Sequence, residues 1–204
     1  VARSPETQER TGLTLELDAD RGKDEQAYTL DIRPEGIHIN APGEAGIFYG
    51  ICTLNQILDQ CGVRLPCLRV EDAPDFQERG VMLDISRDKV PKIETLYELI
   101  DRLASWKINQ LQLYTEHTFA FQNHPVVWQD ASPLTAQEVR ELDAYCRQRF
   151  IELVPNQNSF GHMTRWLKHP QYSALAETLE EFDTPWGRQQ GPFSLAPVNP
   201  GSLR

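Results

Sequence analysis

The chain has 204 residues, of which 40% are hydrophobic and 25% charged, and its formal net charge is -10. This composition is typical of a globular protein with one or two domains. The negative charge opposes contact with phosphate backbones, so we expect no nucleic-acid partner. No apolar run approaches the roughly 18 residues of a membrane span, so we expect no membrane partner either.

Residues 1–74 are predicted to form a small α+β unit. Alternating apolar residues predict four short strands: Leu13–Leu17, Tyr28–Arg33, Ile37–Asn40 and Leu65–Val70. An apolar stripe at helical spacing predicts one helix between the last two strands: Ile47, Ile51, Leu54 and Leu58. Gly62 is placed to end that helix, and Glu71–Asp75 is predicted to be a linker.

From residue 75 to 204 the pattern changes to alternating strands and helices. The predicted strands are Gly80–Ile85, Leu111–Tyr114 and Ile151–Val154. The first helix is predicted from a broad apolar stripe: Ile93, Leu96, Tyr97, Ile100, Leu103 and Trp106. A capping box at Thr135–Glu138 opens a second helix, and a third follows Gly161 toward Ala176. No regular element is predicted beyond Thr178, and the alternation favours a parallel barrel or a doubly wound sheet.

The four cysteines are Cys52, Cys61, Cys67 and Cys146, and none has zinc-site spacing. Cys52 and Cys61 lie nine residues apart on the predicted helix, about 13 Å at the helical rise, which is too far for a disulfide. A bridge from Cys61 to Cys67 stays open, but we favour free thiols, which fit a reducing compartment.

Charged residues flank the first strand of the second unit. Arg79 stands just before it and Asp84 lies inside it. An unpaired charge in a strand costs several kcal/mol, so either an ion-pair partner or a ligand must account for them. We favour a ligand because the alternation of strands and helices that starts here is typical of a parallel barrel or a doubly wound sheet.

Those polar residues lie where the predicted parallel strands end. Glu116 and His117 follow the second strand, three amides follow the third, namely Asn156, Gln157 and Asn158, and His162 comes shortly after. In a TIM barrel this end carries the active site. The alternative is that these residues are loop polars and helix caps.

A connection of 15 residues, from His117 to Ala131, follows the second strand. Loops of this length are usually functional or disordered, and the aromatic content argues against disorder. We expect Phe119, Phe121 and Trp128 to form a wall for a sugar ring, with His124 as a hydrogen-bonding tip. The alternative is that these aromatics only hold the loop in place.

Three segments together resemble the family 20 glycoside hydrolases, the β-N-acetylhexosaminidases: Arg79–Arg87, Trp106–Leu113 and Leu153–His162. The resemblance implies that residues 1–74 form the family's small α+β domain, often called zincin-like. It implies that residues 75–204 form the first half of a (β/α)8 TIM barrel. No His-Glu-x-x-His motif occurs, so we expect neither a metal nor a cofactor.

The same resemblance implies residue roles. Arg79 matches the arginine that binds sugar hydroxyls, Glu116 stands where the family usually has an aspartate, and His162 matches the histidine of a Pro-Gly-His motif. Together with Asn158 and Trp128 from the loop and strand-end patterns, these form the expected substrate-binding set for an N-acetylhexosaminide. Glu116 and His162 are also expected to support a catalytic acid.

Members of the family cleave by substrate assistance, using an adjacent Asp and Glu after the fourth strand. No such pair follows the third βα unit, and a barrel needs roughly 250 residues. We therefore expect the catalytic pair to lie beyond Arg204, with no catalytic residue inside the chain. The alternative is a non-catalytic carbohydrate-binding protein. A nucleotide-binding doubly wound protein is disfavoured because no Gly-x-Gly-x-x-Gly follows a strand.

An incomplete barrel is also expected to leave strand edges unpaired, at Gly80–Ile85 and Ile151–Val154. The face meant for the barrel interior is expected to expose Val81 and Leu83 as part of an apolar patch. The sequence therefore predicts that the truncated barrel self-associates or forms a loosened, dye-binding state, while residues 1–74 stay folded.

Overall fold

The computed structural model describes residues 12–87, 89–189 and 191–203. Contacts within the chain divide it into two units. The first unit consists of the residues up to Arg79 and of Asp101–Asn109. The second unit consists of Gly80–Ile100 and of the residues from Gln110 onward. Among the helices in the described ranges, none combines the length and the apolar content that crossing a membrane requires.

The first unit contains a four-stranded sheet. Its strands are β1 (Gly12–Leu17), β2 (Tyr28–Arg33), β3 (Gly36–Ala41) and β4 (Leu68–Asp72), in the order β1-β3-β2-β4. The strand β1 runs parallel to β3, and the other pairs are antiparallel. The strand β4 starts later than predicted, since Pro66 just before it has no N–H for a ladder. It also includes Glu71 and Asp72 of the predicted linker, because Asp72 pairs with Tyr28.

One helix, α1 (Glu44–Cys61), packs against this sheet. It ends as predicted, at Gly62, whose φ is +62° and whose N–H donates to the Leu58 carbonyl over 2.8 Å. Its buried face differs from the predicted stripe, because Leu58 is 37% exposed. The side chains and glycines of α1 that are buried are Gly46, Tyr49, Gly50, Cys52 and Leu54. A Cβ on Gly50 would lie 2.6 Å from Ile39 Cγ2, so the missing side chain lets helix and sheet approach closely.

The core of the first unit lies between α1 and the sheet. Its buried members are Tyr28, Leu30, Ile32, Ile39, Ala41, Tyr49 and Leu54. All four cysteines are free thiols in the structure, which removes the Cys61 to Cys67 bridge as an alternative.

The second unit contains three parallel strands in sequential order: β5 (Gly80–Asp84), β6 (Gln110–Thr115) and β7 (Glu152–Gln157). The helices along this part of the chain are α2 (Ile93–Ser105), α3 (Pro125–Trp128), α4 (Ala136–Arg147), α5 (Thr164–Leu167) and α6 (Pro170–Ser173). The predicted alternation of parallel strands and helices is therefore present.

The capping box at the start of α4 is confirmed. Thr135 Oγ1 accepts a hydrogen bond from the Glu138 N–H, and Glu138 Oε2 accepts one from the Thr135 N–H over 2.7 Å. The bond from the Thr135 N–H, together with one that the Thr135 hydroxyl donates to Glu138 Oε2 over 2.7 Å, lowers the pKa of the Glu138 carboxyl. The box satisfies N–H groups that a helix start otherwise leaves without partners.

Three predictions in the second half of the chain were wrong. The single helix after Gly161 is two short helices, because Pro170 cannot continue α5 and holds His169 in an extended conformation. The segment beyond Thr178 contains a hairpin of β8 (Phe182–Thr184) and β9 (Gly187–Gln189), whose strands are too short to show a periodic pattern. Trp106 lies past the end of α2 and is 61% exposed rather than buried.

The expected orientation of Val81 and Leu83 was also wrong. They pair in register with Leu111 and Leu113, which are 1% and 7% exposed, so both lie on the covered face of the sheet. The opposite face carries exposed Met82 and an amide ladder, in which Gln112 donates to Gln110 and accepts from Asn156 over 2.9 and 3.0 Å. This face is polar, so it does not form the apolar patch that we expected to cause self-association. The prediction of self-association now depends only on the unpaired strand edges.

Candidate functional site

A carboxylate and a guanidinium meet at the carboxyl ends of β5 and β6. Glu116 directly follows β6, and Arg87 lies three residues beyond the end of β5. Arg87 Nη2 donates to Glu116 Oε1 over 3.0 Å, and this hydrogen bond raises the pKa of the guanidinium. The Glu116 side chain is 10% exposed, whereas the Arg87 side chain is 55% exposed. The carboxylate of this pair is therefore buried, and its guanidinium is open to solvent.

Two further groups orient Arg87. Its Nη1 lies 3.6 Å from Asp84 Oδ2, and its guanidinium lies over the Tyr114 ring at 5.8 Å from the centroid. Asp84 in turn accepts a hydrogen bond from the Ser86 N–H over 2.8 Å. A guanidinium held by carboxylates and an aromatic face loses little freedom when it binds a ligand.

Tyr114 and Asn158 extend the cluster across β6 and β7. The Tyr114 hydroxyl donates to Glu116 Oε1 over 2.9 Å and accepts from Asn158 Nδ2 over 2.7 Å. Burial raises the pKa of the Tyr114 phenol, and this outweighs the opposing effect of the hydrogen bond from Asn158. The phenol stays protonated and keeps donating to the carboxylate. Among the described residues, the Glu116 side chain accepts hydrogen bonds from Arg87 and Tyr114, and Oε1 accepts both of them.

His162 stands at the open side of the cluster. Its Nδ1 lies 3.5 Å from Arg87 Nη2 and 3.6 Å from Glu116 Oε1, distances longer than those of good hydrogen bonds. Its ring makes an edge contact with Phe193, at 4.7 Å between centroids, and the side chain is 48% exposed. The residue has a φ of +54°, a backbone conformation that is uncommon outside glycine and that Lys107 and Phe150 also adopt.

The backbone of Glu116 is fixed from three directions. Its N–H donates to Ser86 Oγ over 2.7 Å, and its carbonyl accepts from Trp166 Nε1 over 2.8 Å and from Gln157 Nε2 over 3.2 Å. Ser86 follows β5, Gln157 ends β7, and Trp166 lies in α5, so three separate segments position one carboxylate. Such positioning is what a binding site requires of its charged groups.

The aromatic loop supports this arrangement. The Trp128 indole donates to the Phe121 carbonyl over 2.9 Å, and Phe121 packs on Trp166 with centroids 5.2 Å apart. His124 Nδ1 and the Tyr172 hydroxyl are 2.6 Å apart. These contacts agree with the interpretation in which the aromatics, Trp128 included, hold the loop in place.

Arg79 does not join the cluster. It precedes β5, at the amino end of the strand whose carboxyl end leads to Arg87. Its guanidinium donates to the carbonyls of Lys107 and Phe76 and to Gln26 Oε1, over 2.7 to 2.8 Å, all within the first unit. Arg87, and not Arg79, lies beside Glu116 at the carboxyl end of β5. The rule that pointed to Glu116, namely that function gathers at the carboxyl ends of parallel strands, points equally to Arg87.

The cluster thus brings together Glu116, His162 and Asn158 from the expected set, and adds Arg87 and Tyr114. A buried carboxylate beside an exposed guanidinium and imidazole offers acceptors and donors side by side, which suits neighbouring hydroxyl groups of a sugar. No group of three or more His, Cys, Asp or Glu side chains suited to a metal ion occurs within residues 12–87, 89–189 and 191–203.

Comparison with family models covers almost the whole chain. The model described as glycosyl hydrolase family 20, domain 2, matches residues 2–73, and that described as glycosyl hydrolase family 20, catalytic domain, matches residues 76–202.

Among curated proteins, a beta-hexosaminidase of Akkermansia muciniphila is 30% identical over 181 residues, which cover 77% of this chain and 36% of the relative. Among solved structures, a beta-hexosaminidase of Streptomyces plicatus in complex with the product GlcNAc has a TM-score of 0.74 at 26% identity, covering 94% of this chain and 42% of that one. A chitobiase of Flavobacterium johnsoniae has a TM-score of 0.74 at 27% identity, and the match covers 89% of this chain and 29% of that one. The chain therefore spans less than half the length of these relatives.

Proposed function

This chain belongs to glycosyl hydrolase family 20, and from that premise we propose that it is part of an enzyme that removes terminal N-acetyl-β-hexosamine residues. The observation that carries the proposal is the pairing of Glu116 with an exposed Arg87 at the carboxyl ends of parallel strands. In this proposal the cluster of Arg87, Tyr114, Glu116, Asn158 and His162, the sugar cluster from here on, binds the hydroxyls of the terminal sugar.

The proposed division of the chain is an accessory α+β domain at residues 1–74 and the first part of a catalytic barrel at 75–204. The extents of the two family matches support it, as does the three-stranded parallel sheet. The chain covers 36% of the Akkermansia muciniphila relative, so we place the remaining barrel strands in a longer gene product.

The proposed reaction is retaining and substrate-assisted. The acetamide oxygen of the bound sugar attacks the anomeric carbon, and a carboxylic acid outside this chain protonates the leaving oxygen. Water then opens the cyclic intermediate with the same group acting as base. The sugar cluster contributes orientation: Arg87 donates to a ring hydroxyl, and Glu116 accepts from its neighbour. Charged hydrogen bonds of this kind are each worth about 1.5 to 3 kcal/mol.

The test compares the natural gene product with the 204-residue chain. We expect the gene product to hydrolyse an aryl N-acetyl-β-glucosaminide, and the 204-residue chain to bind N-acetylglucosamine but to leave the aryl glycoside uncleaved. Glu116→Gln in the gene product is expected to lower kcat/KM about tenfold or more, because the carboxylate loses its charge. The matched control is Glu141→Gln, since Glu141 is an exposed acid on α4.

Turnover by the 204-residue chain itself would contradict the placement of the acid. A gene product that binds N-acetylglucosamine through the sugar cluster but hydrolyses none of a panel of aryl glycosides would favour the carbohydrate-binding protein instead.

A further inference from the structure

Four aromatic rings pack together beside the backbone of Glu116. They belong to Phe121 and His124 in the connection after β6, to Trp166 in α5 and to Tyr172 in α6. The Trp166 ring contacts each of the other three, at 5.2, 5.3 and 5.7 Å between centroids. All four residues are half-buried, and none of them belongs to the sugar cluster. We refer to these four residues as the ring cluster.

The ring cluster is itself held in place. His124 Nδ1 lies 2.6 Å from the Tyr172 hydroxyl, so a hydrogen bond joins two of its members. The connection after β6 is tied to Leu134, whose N–H donates to the Thr118 carbonyl and whose carbonyl accepts from the Ala120 N–H, both over 2.9 Å. The central indole therefore contacts three rings that are fixed by other bonds, and close packing leaves it little freedom to turn.

The indole of Trp166 donates to the backbone carbonyl of Glu116, a residue that is 8% exposed, over 2.8 Å. A second donor, Gln157 Nε2, lies 3.2 Å from the same oxygen, but it also donates to the Asn158 carbonyl over 2.8 Å. Trp166 therefore supplies the shorter of these two bonds. Without it the carbonyl of a buried residue keeps only a longer and shared bond, a state that folded proteins disfavour.

The position of the Glu116 carboxylate depends on this carbonyl. The N–H of Glu116 is held by Ser86 Oγ and its carbonyl by Trp166, so the peptide groups on both sides of its Cα are fixed. From this fixed backbone, Oε1 reaches Tyr114 and Arg87 over 2.9 and 3.0 Å. A tilt of either peptide group displaces the carboxylate, and hydrogen bonds weaken when they lengthen by a few tenths of an ångström.

We propose that Trp166 is a positioning residue for sugar binding. The ring cluster fixes the direction of the indole N–H, the indole fixes the Glu116 peptide group, and that group places the carboxylate that accepts from the sugar. Phe121 and His124 then act through Trp166 and not by contact with the sugar ring. This assignment rests on the proposed function, because it takes Glu116 to bind the sugar.

The test uses three variants of the 204-residue chain. Trp166→Phe keeps an aromatic ring but removes the N–H group that donates to Glu116. Tyr172→Phe removes the hydroxyl that bonds to His124, and it tests the ring cluster without changing Trp166 itself. The matched control is Trp186→Phe, the same substitution at an indole that is 93% exposed in the turn between β8 and β9.

The first measurement needs no ligand. It is the ¹³C NMR shift of the Glu116 side-chain carboxyl, a signal that Glu116→Gln identifies. We expect Trp166→Phe to move this signal, Tyr172→Phe to move it in the same direction by less, and Trp186→Phe to leave it in place. An unmoved signal in folded Trp166→Phe would overturn the assignment. If Trp166→Phe does not fold, Tyr172→Phe decides in the same way.

The second measurement is an NMR-monitored titration with N-acetylglucosamine. Trp166→Phe should weaken binding about fivefold, as loss of one ordinary hydrogen bond does, and Tyr172→Phe about twofold. Trp186→Phe should bind like the unsubstituted chain. The indole N–H signal of Trp166 should shift during the titration with the same Kd as the Arg87 side-chain signals. Equal affinity in Trp166→Phe and in the unsubstituted chain would overturn the assignment.

The two measurements also separate this assignment from the proposed function. If N-acetylglucosamine binds through Arg87 while the Glu116 carboxyl signal is the same in all variants, the proposed function stands and the role of Trp166 fails. If the signal moves in Trp166→Phe but the chain binds no N-acetylglucosamine, Trp166 positions Glu116 and the proposed sugar ligand is wrong.

Discussion

Two arginines flank one strand and differ in their contacts and in their exposure to solvent. Arg79, before β5, donates to backbone carbonyls and an amide oxygen of the first unit. Arg87, after the same strand, contacts two carboxylates and leaves more than half of its side chain in solvent. A guanidinium whose donors are all used by its own chain stabilises the fold. One whose donors face solvent beside a fixed carboxylate is available to a ligand.

The neighbours of the two arginines differ in the same way. Near Arg79, the Lys107 ammonium donates to Asp72 Oδ2 and to the Tyr28 hydroxyl, both over 2.8 Å, which closes a network within the first unit. Near Arg87, the Glu116 carboxylate uses only Oε1 for its partners among the described residues. Arg79 has its hydrogen bonds taken up by the chain, whereas Arg87 and Glu116 keep donor and acceptor atoms available for a ligand.

The largest expected effect is on stability, from Arg79→Gln. Removing the guanidinium leaves two carbonyls without this donor, and Gln26 Oε1 keeps only a 3.3 Å hydrogen bond from Asn109, so the free energy of unfolding should fall by about 2 to 3 kcal/mol. Arg87→Gln removes a guanidinium that is 55% exposed, and the buried Glu116 carboxylate keeps its hydrogen bond from Tyr114, so the loss should be smaller, about 1 kcal/mol. Urea denaturation measures both.

Arg69→Gln is the matched control for that experiment, because Arg69 is an exposed arginine of the same unit that pairs with Asp31 and Glu71. Its free energy of unfolding should fall by about as little as that of Arg87→Gln. Equal destabilisation by all three substitutions would mean that the hydrogen bonds of Arg79 are not special, and the comparison would fail.

A smaller effect is expected on ligand affinity, from Tyr114→Phe. This substitution removes the hydroxyl that donates to Glu116 and accepts from Asn158. Loss of this bridge should weaken binding of N-acetylglucosamine about fivefold, near the 1 kcal/mol of an ordinary hydrogen bond. Tyr97→Phe is the control, since Tyr97 stacks on Tyr145 away from Glu116. Unchanged affinity in Tyr114→Phe would show that the bridge does not orient the carboxylate.

The smallest effect concerns the pH dependence of the network around Lys107. Burial tends to raise the pKa of Asp72, but the hydrogen bonds from Lys107 and Tyr28 outweigh it and lower that pKa. The folded chain then binds fewer protons here than the unfolded chain, so this contribution is full above the unfolded pKa of about 3.9. It is lost as the pH falls through the folded pKa.

The free energy of unfolding of Asp72→Asn, compared with the unsubstituted chain, should therefore show a deficit near neutral pH that vanishes in acid. Because the Asp72 side chain is 43% exposed, the deficit should stay below about 1 kcal/mol. Asp59→Asn, on the exposed side of α1, should show no such change. A deficit that is the same at all pH values would contradict the ionic origin.

The sequence predicted the elements whose signals are local and repeated. The strand β2 and the capping box of α4 were confirmed as predicted, because period-two alternation and an N-terminal Thr with a Glu three residues later act over a few residues. The break between α5 and α6 also has a local signal, because Pro170 cannot continue a helix that begins before it. This proline alone is enough to predict two helices in place of one.

The sugar cluster was predicted in part. Glu116, His162 and Asn158 follow strands, which the carboxyl-end rule detects. Arg87 follows a strand as well, but the resemblance of the motif drew attention to Arg79 instead. The contacts of Trp166 and Ser86 with the Glu116 backbone had no sequence signal, since they join segments that are 50 and 30 residues apart from Glu116. Pairings of that range depend on the fold as a whole.

The decisive measurement is the affinity of the 204-residue chain for N-acetylglucosamine in Arg87→Gln and in Arg79→Gln, obtained by NMR-monitored titration under conditions where both variants are folded. We expect Arg87→Gln to weaken binding by about tenfold or more, the value of a charged hydrogen bond, and Arg79→Gln to leave it within about twofold. Unchanged binding in Arg87→Gln, or an equal loss in Arg79→Gln, would contradict the assignment of the sugar cluster to the carboxyl end of the strand.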